Sequence, residues 1–139
     1  MTSCVVLDAE AMSALAGPHS TRQTEVRAAL RAAVRLRRDV LVPAVVLAEL
    51  YRGRRHNQMI DACLSRETGL LVQPTDRRLA RLVGAVLAAA AANSSMLADA
   101  HVIATAVEHG GGLVLTGDPT DLEQLAASFR TVTVAALGG

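Results

Sequence analysis

Cys4-Val5-Val6-Leu7-Asp8 sets the architecture: four consecutive apolar residues, cut off by an acid. A run that is apolar at every position, rather than at alternate ones, suits a strand buried on both faces, as in a parallel sheet lined by helices. Similar runs return at Val40-Leu41-Val42, Leu70-Leu71-Val72 and Leu113-Val114-Leu115-Thr116. Between them lie stretches rich in helix formers. The pattern predicts helices over Ala9 to Ala16, closed by Gly17-Pro18, and over Thr21 to Arg38. Further helices are expected from Ala44 to Arg52 behind Pro43, from Asn57 to Arg66, and from an Asp76 cap to Ala92. Asn93-Ser94-Ser95 breaks the chain before a helix over Met96 to His109, which Gly110-Gly111-Gly112 ends. A helix over Thr120 to Phe129 and a fifth strand over Thr131 to Val134 complete the series. Strands alternate with helices, nothing repeats, and no connection is long enough to be a linker. The expectation is one α/β domain over residues 1–139, a three-layer α/β/α arrangement around a parallel sheet of about five strands.

Composition narrows the chemistry. All 14 basic residues are arginine, and they nearly balance 13 acids for a formal charge of +1. Without lysine there is no Schiff base and no phosphate-binding P-loop lysine. Aromatic residues make up 1% of the chain, Tyr51 and Phe129 alone, so a surface that stacks nucleic-acid bases is not expected. Cys4 and Cys63 have no CxxC spacing and read as buried thiols. The opening apolar run is too short, and lacks the basic flank, for a signal peptide; no stretch is long enough to span a membrane. The protein is expected in the cytoplasm, with no membrane partner.

Four separated carboxylates carry the strongest signal. Asp8 directly follows the first strand, and Asp118 follows the fourth by one glycine. In open α/β sheets, ligands bind outside the carboxyl ends of strands. Glu49 lies three and four residues after Val46 and Val45, so it is expected to continue an apolar stripe. Asp99 shares a helix face with Val102, Ile103 and Ala106. An unpaired charge in such places costs several kcal/mol. Arginine salt bridges would neutralise each acid singly, whereas one divalent cation would account for all four. An oxygen-only ligand set points to Mg2+, with Mn2+ as substitute, because zinc prefers nitrogen and sulfur. Such an ion activates water for in-line attack on a phosphodiester.

At these residues the chain resembles the PIN-domain family, especially VapC-type toxin ribonucleases. Val5-Val6-Leu7-Asp8 resembles its opening strand and first acid, and the segment from Val42 to Leu50 resembles the helix carrying its glutamate. Ala98-Asp99-Ala100-His101 and the residues after it resemble a third motif, and Leu113 to Leu122 resembles the last. The resemblance implies a Mg2+-dependent endoribonuclease, a homodimer, and inhibition by a small antitoxin protein. It also implies that Asp8, Glu49, Asp99 and Asp118 are catalytic metal ligands, and that Thr116 and Asp121 support them.

The arginines cluster in two groups, from Arg22 to Arg38 and from Arg52 to Arg55, as RNA-phosphate contacts or as a solvated surface. Arg22, Arg52, Arg54 and Arg55 are the candidates for RNA contact. His101, two residues from Asp99, points to another side of the helix, so neither it nor His19, His56 or His109 is assigned a catalytic role. Two rivals stay open. A phosphatase would attack through Asp8 with Glu10 as its partner acid, and a non-catalytic PIN module would bind RNA through arginine alone.

Overall fold

A computed structural model describes residues 3–138. Its five strands, β1 (Cys4–Leu7), β2 (Val40–Pro43), β3 (Leu70–Gln73), β4 (Gly112–Thr116) and β5 (Val132–Ala136), form one sheet in the order β3-β2-β1-β4-β5. Every pairing is parallel. The helices are α1 (Ala9–Ala16), α2 (Thr21–Arg35), α3 (Ala44–Leu50), α4 (Arg54–Arg66), α5 (Arg77–Ala89), α6 (Leu97–Glu108) and α7 (Pro119–Ala126). Right-handed crossovers put α1 to α4 on one face and α5 to α7 on the other. In keeping with this, α1 packs on β1 and β4, α6 packs on β1, β2, β4 and β5, and α5 and α7 pack against α6. The expected α/β architecture is present.

The central strands are apolar throughout because both faces are covered: Val6, Leu7, Val42 and Val114 are wholly buried. At the sheet edge the same kind of run behaves differently. In β3, Leu71 and Val72 remain 49% and 42% exposed, because no strand and little helix lies beyond them. Gln23, buried in α2, ties two helices together. Its side-chain amide donates to the carbonyls of Leu15 (3.1 Å) and Gly17 (2.7 Å), filling acceptors that the end of α1 leaves open.

Several helix ends differ from expectation, each for a local reason. Helix α2 stops at Arg35 rather than Arg38, because Arg37 turns left-handed (φ 55°). Helix α3 stops at Leu50 rather than Arg52, whose guanidinium instead donates to the carbonyls of Ala48 (2.8 Å) and Tyr51 (2.7 Å). Helix α4 starts at Arg54, three residues before Asn57, straight after Gly53 (φ 99°). A left-handed Ala91 (φ 51°) ends α5 early. Asn93 caps a 3-10 turn over Ser94–Met96, so α6 begins at Leu97 rather than Met96. Helix α7 spans Pro119–Ala126 and β5 runs Val132–Ala136, both offset from the expected limits. Both cysteines are free and buried, and no helix among the described residues is long and apolar enough to cross a membrane.

Candidate active site

The strand order reverses direction between β1 and β4, the centre of the sheet. At such a switch point the two following loops run to opposite faces and leave a crevice beyond the strand ends. Asp8 stands at the end of β1, and Thr116-Gly117-Asp118 leaves the end of β4, joined by a hydrogen bond from the Asp8 N–H to the Leu115 carbonyl (3.3 Å). Both strand-end acids of the sequence reading therefore flank this crevice.

Asp8 is 5% exposed and also caps α1, its Oδ1 accepting the Ala11 N–H at 2.8 Å. Burial raises its pKa, opposed by hydrogen bonding from the Thr116 hydroxyl and the Ala11 N–H. Thr116, wholly buried, accepts the Asp118 N–H (2.9 Å) and faces the Asp118 carbonyl (3.1 Å). Asp118 occupies the cap position of α7, yet its side chain makes no capping bond and is exposed. Its carboxylate is uncommitted. Asp121 lies exposed in the first turn of α7.

Asp99 sits half-buried in the first turn of α6, over wholly buried Val102, Ile103 and Ala106. Its pKa is pushed up to about 6, first by burial and then by the negative charges of Asp8, Asp121, Glu49 and Asp118. That list defines the neighbourhood. Acids from β1, α3, α6 and the β4–α7 turn share one electrostatic field, and the amino ends of α1, α6 and α7 converge there, which eases anionic charge. Among the described residues, however, no three Asp, Glu, His or Cys side chains stand close enough to hold a metal ion as they are. The acids lie within electrostatic reach of Asp99 without standing at ligating distance from one another.

Glu49 departs from expectation, being exposed rather than set in an apolar stripe. Helix α3 has only seven residues, and its inward side runs through Val46, Leu47 and half-buried Leu50, one position round from Glu49. The glutamate lines a cleft with Leu50, Arg52, His56 and Met59.

The four candidate arginines divide. Arg22 pairs with Glu10 (Nη1 to Oε2, 3.3 Å), while Arg52 is held by the two carbonyls at the end of α3. Arg54 and Arg55 are exposed in the first turn of α4. His101 is anchored on its own helix, its Nδ1 2.8 Å from the Leu97 carbonyl, and His109 meets Gln73 (3.0 Å). Neither turns to the acids. The Glu10–Arg22 pair at this site was not foreseeable from sequence spacing. A Cβ on Gly117 would land on Glu10 Oε2 and Arg22 Nη1, so the pair lies directly over the turn between Thr116 and Asp118. The available signal was a glycine ending a strand, which often marks close approach.

Residues 5–127 match the family model of the PIN domain. Among solved structures, the chain is similar to VapBC2 from Rickettsia felis, bound to a DNA fragment from its promoter, with a TM-score of 0.65, 13% identity, and 97% of this chain and 99% of that one covered. It is also similar to a toxin–antitoxin complex from Klebsiella pneumoniae, with a TM-score of 0.64, 14% identity, and 93% and 95% covered. No curated protein matches. At such identities the structural likeness speaks for the fold.

Proposed function

The chain belongs to the PIN-domain family, and from that premise we propose that it is a metal-dependent endoribonuclease that hydrolyses RNA phosphodiesters. We further propose that it is the VapC-type toxin of a toxin–antitoxin pair, a homodimer silenced by a small antitoxin. The structural neighbours are VapBC2 of Rickettsia felis and a toxin–antitoxin complex of Klebsiella pneumoniae, which supports the second part.

One observation carries the catalytic reading: the Asp99 carboxyl at the switch point of the sheet, its pKa pushed up to about 6 by burial and then by the charges of four other acids. Like charges are gathered at a ligand-binding crevice with no arginine paired to them, since the ion pairs among the described residues are Arg22–Glu10 and Arg27–Glu67. The donor set is all oxygen, which fits Mg2+ or Mn2+. Asp8, Glu49, Asp99 and Asp118 would hold the ion, with Thr116 fixing the Asp118 backbone and Asp121 adding charge. Bound there, the metal supplies an activated water and charge neutralisation at the phosphate. The residues themselves orient the site: the helix cap fixes Asp8, and the Thr116 hydrogen bonds fix the turn that presents Asp118.

Incubating the purified chain with total RNA, in Mg2+ or in chelator, tests this reading. Cleavage in Mg2+ alone, lost in Asp99→Asn, is expected. RNA binding without metal-dependent cleavage would identify a binding module instead, and a phosphorylated Asp8 would identify a phosphatase.

A further inference from the structure

We propose that Arg22 grips a backbone phosphate of the RNA at the lip of the carboxylate cluster, and that Glu10 holds this arginine in reserve until substrate displaces it. The inference rests on the ribonuclease reading above and names how that site receives its substrate.

Placement comes first. The Glu10–Arg22 pair lies over the Gly117 backbone, one residue from Asp118, and Glu10 stands in the first turn of the helix that Asp8 caps. Arg22 is therefore a cation held against the acidic centre itself. A polyanion approaching that centre meets a negative field, as the neighbours of Asp99 attest. A guanidinium at the rim offsets that repulsion for one phosphate.

The pair is also built to exchange. Its side chains are 37% and 45% exposed, and one nitrogen of Arg22 contacts one oxygen of Glu10 at 3.3 Å. Single-contact pairs in water are weak, whereas phosphate offers a guanidinium two parallel hydrogen bonds. Arg52 lacks this freedom, because two carbonyls occupy its Nη1.

A route leads to it. A cleft of about 470 Å³ runs between α1 and the start of α2, lined by Ser13, Ser20, Pro18 and Leu50, with Glu10 and Arg22 as its only charged lining residues. A single strand lying in this cleft meets Arg22 beside Glu10. Glu10 then sets selectivity: an anion is admitted when it binds Arg22 better than a neighbouring carboxylate does.

The test is a double-mutant cycle on binding of a labelled single-stranded RNA in chelator, over a range of salt, with thermal melting as the check on folding. Arg22→Gln is expected to flatten the slope of log affinity against log salt by about 0.7, the release expected for one single-strand phosphate contact. Glu10→Gln is expected to tighten binding by about two- to fivefold, the strength of an exposed pair. That gain should vanish in the double variant, and Arg22→Lys should keep the slope. An unchanged slope in Arg22→Gln, or no gain in Glu10→Gln, overturns the proposal. Should Arg22→Gln fail to fold, Glu10→Gln decides alone. Loss of the cleavage reading is recognised separately: the RNA stays intact in Mg2+ while the binding cycle behaves as described.

Discussion

Thr116 and Asp118 are locked together two residues apart: the threonine hydroxyl accepts the aspartate N–H at 2.9 Å and sits 3.1 Å from the aspartate carbonyl. The same hydroxyl bears on Asp8, whose pKa it lowers against the effect of burial. One buried oxygen thus holds the Asp118 turn and favours the ionised form of Asp8.

Replacing Thr116 with valine keeps the shape and removes that oxygen. The Asp118 N–H loses its acceptor, and stability should fall by about 1–2 kcal/mol. The Asp8 pKa should rise further, moving the onset of RNA cleavage to higher pH. Thr116→Ser should retain wild-type behaviour. An unchanged pH–rate profile in the valine variant would remove Thr116 from the site.

Asp99 makes stability depend on pH in a definite direction. Its folded-state pKa, about 6, exceeds its ordinary value of 3.8, so the folded chain binds the proton more tightly than the unfolded one. Folding stability therefore declines as pH rises between those values, and the penalty is complete above about pH 6. Without metal, Asp99→Asn should be more stable than wild type at pH 7.5, by about 1 kcal/mol after discounting for solvent screening. The advantage should disappear at pH 3.5. Added Mg2+ should raise the melting temperature of wild type and leave Asp99→Asn nearly unmoved. In Mg2+, cleavage should switch on below about pH 6, because a cation beside the carboxyl favours its ionised form. Melting curves in chelator and in Mg2+ across this range check the sign.

The arginines of the second cluster should separate by what they touch. Arg52→Ala removes the donor to two carbonyls at the end of α3 and should lower stability by about 0.5–1.5 kcal/mol. Arg54→Ala with Arg55→Ala should leave the melting temperature nearly unchanged and weaken RNA binding, more at low salt than at high. Equal binding at low salt would mark these two as a solvated helix end.

Gly117→Ala places a methyl group on the Glu10–Arg22 pair. Both partners are flexible and exposed, so the stability loss should be small, about 1 kcal/mol. Cleavage should fall by a larger factor, because the pair and the Asp118 turn shift together. Stability and turnover falling in proportion would mean that the glycine serves folding alone.

The sequence disclosed the sheet because strands buried on both faces are apolar at every position, as Val5-Val6-Leu7 and Val114-Leu115 are. It disclosed Asp8 and Asp118 because each interrupts such a run at its carboxyl end. Strand order was not legible: pairing Val6 with both Leu41 and Val114 joins segments far apart in the chain, and nothing local encodes it. Helix ends were set by single backbone angles at Arg37 and Ala91, or by a side chain folding back at Arg52. Glu49 was misjudged because a seven-residue helix holds too few turns for its period to say which face is inward. Strand ends and helix faces suggested the grouping of the acids, and in the fold the charges of Asp8, Asp121, Glu49 and Asp118 all reach Asp99.

Asp8 begins α1 with one carboxylate oxygen, and in the proposed nuclease it also holds the metal, so two demands would fall on a single side chain. A descendant released from catalysis would still need a small polar residue to begin that helix. Asparagine, serine and threonine serve there, and alanine does not. Drift at position 8 should therefore run toward uncharged caps, leaving a lineage that has shed its chemistry while its shape persists.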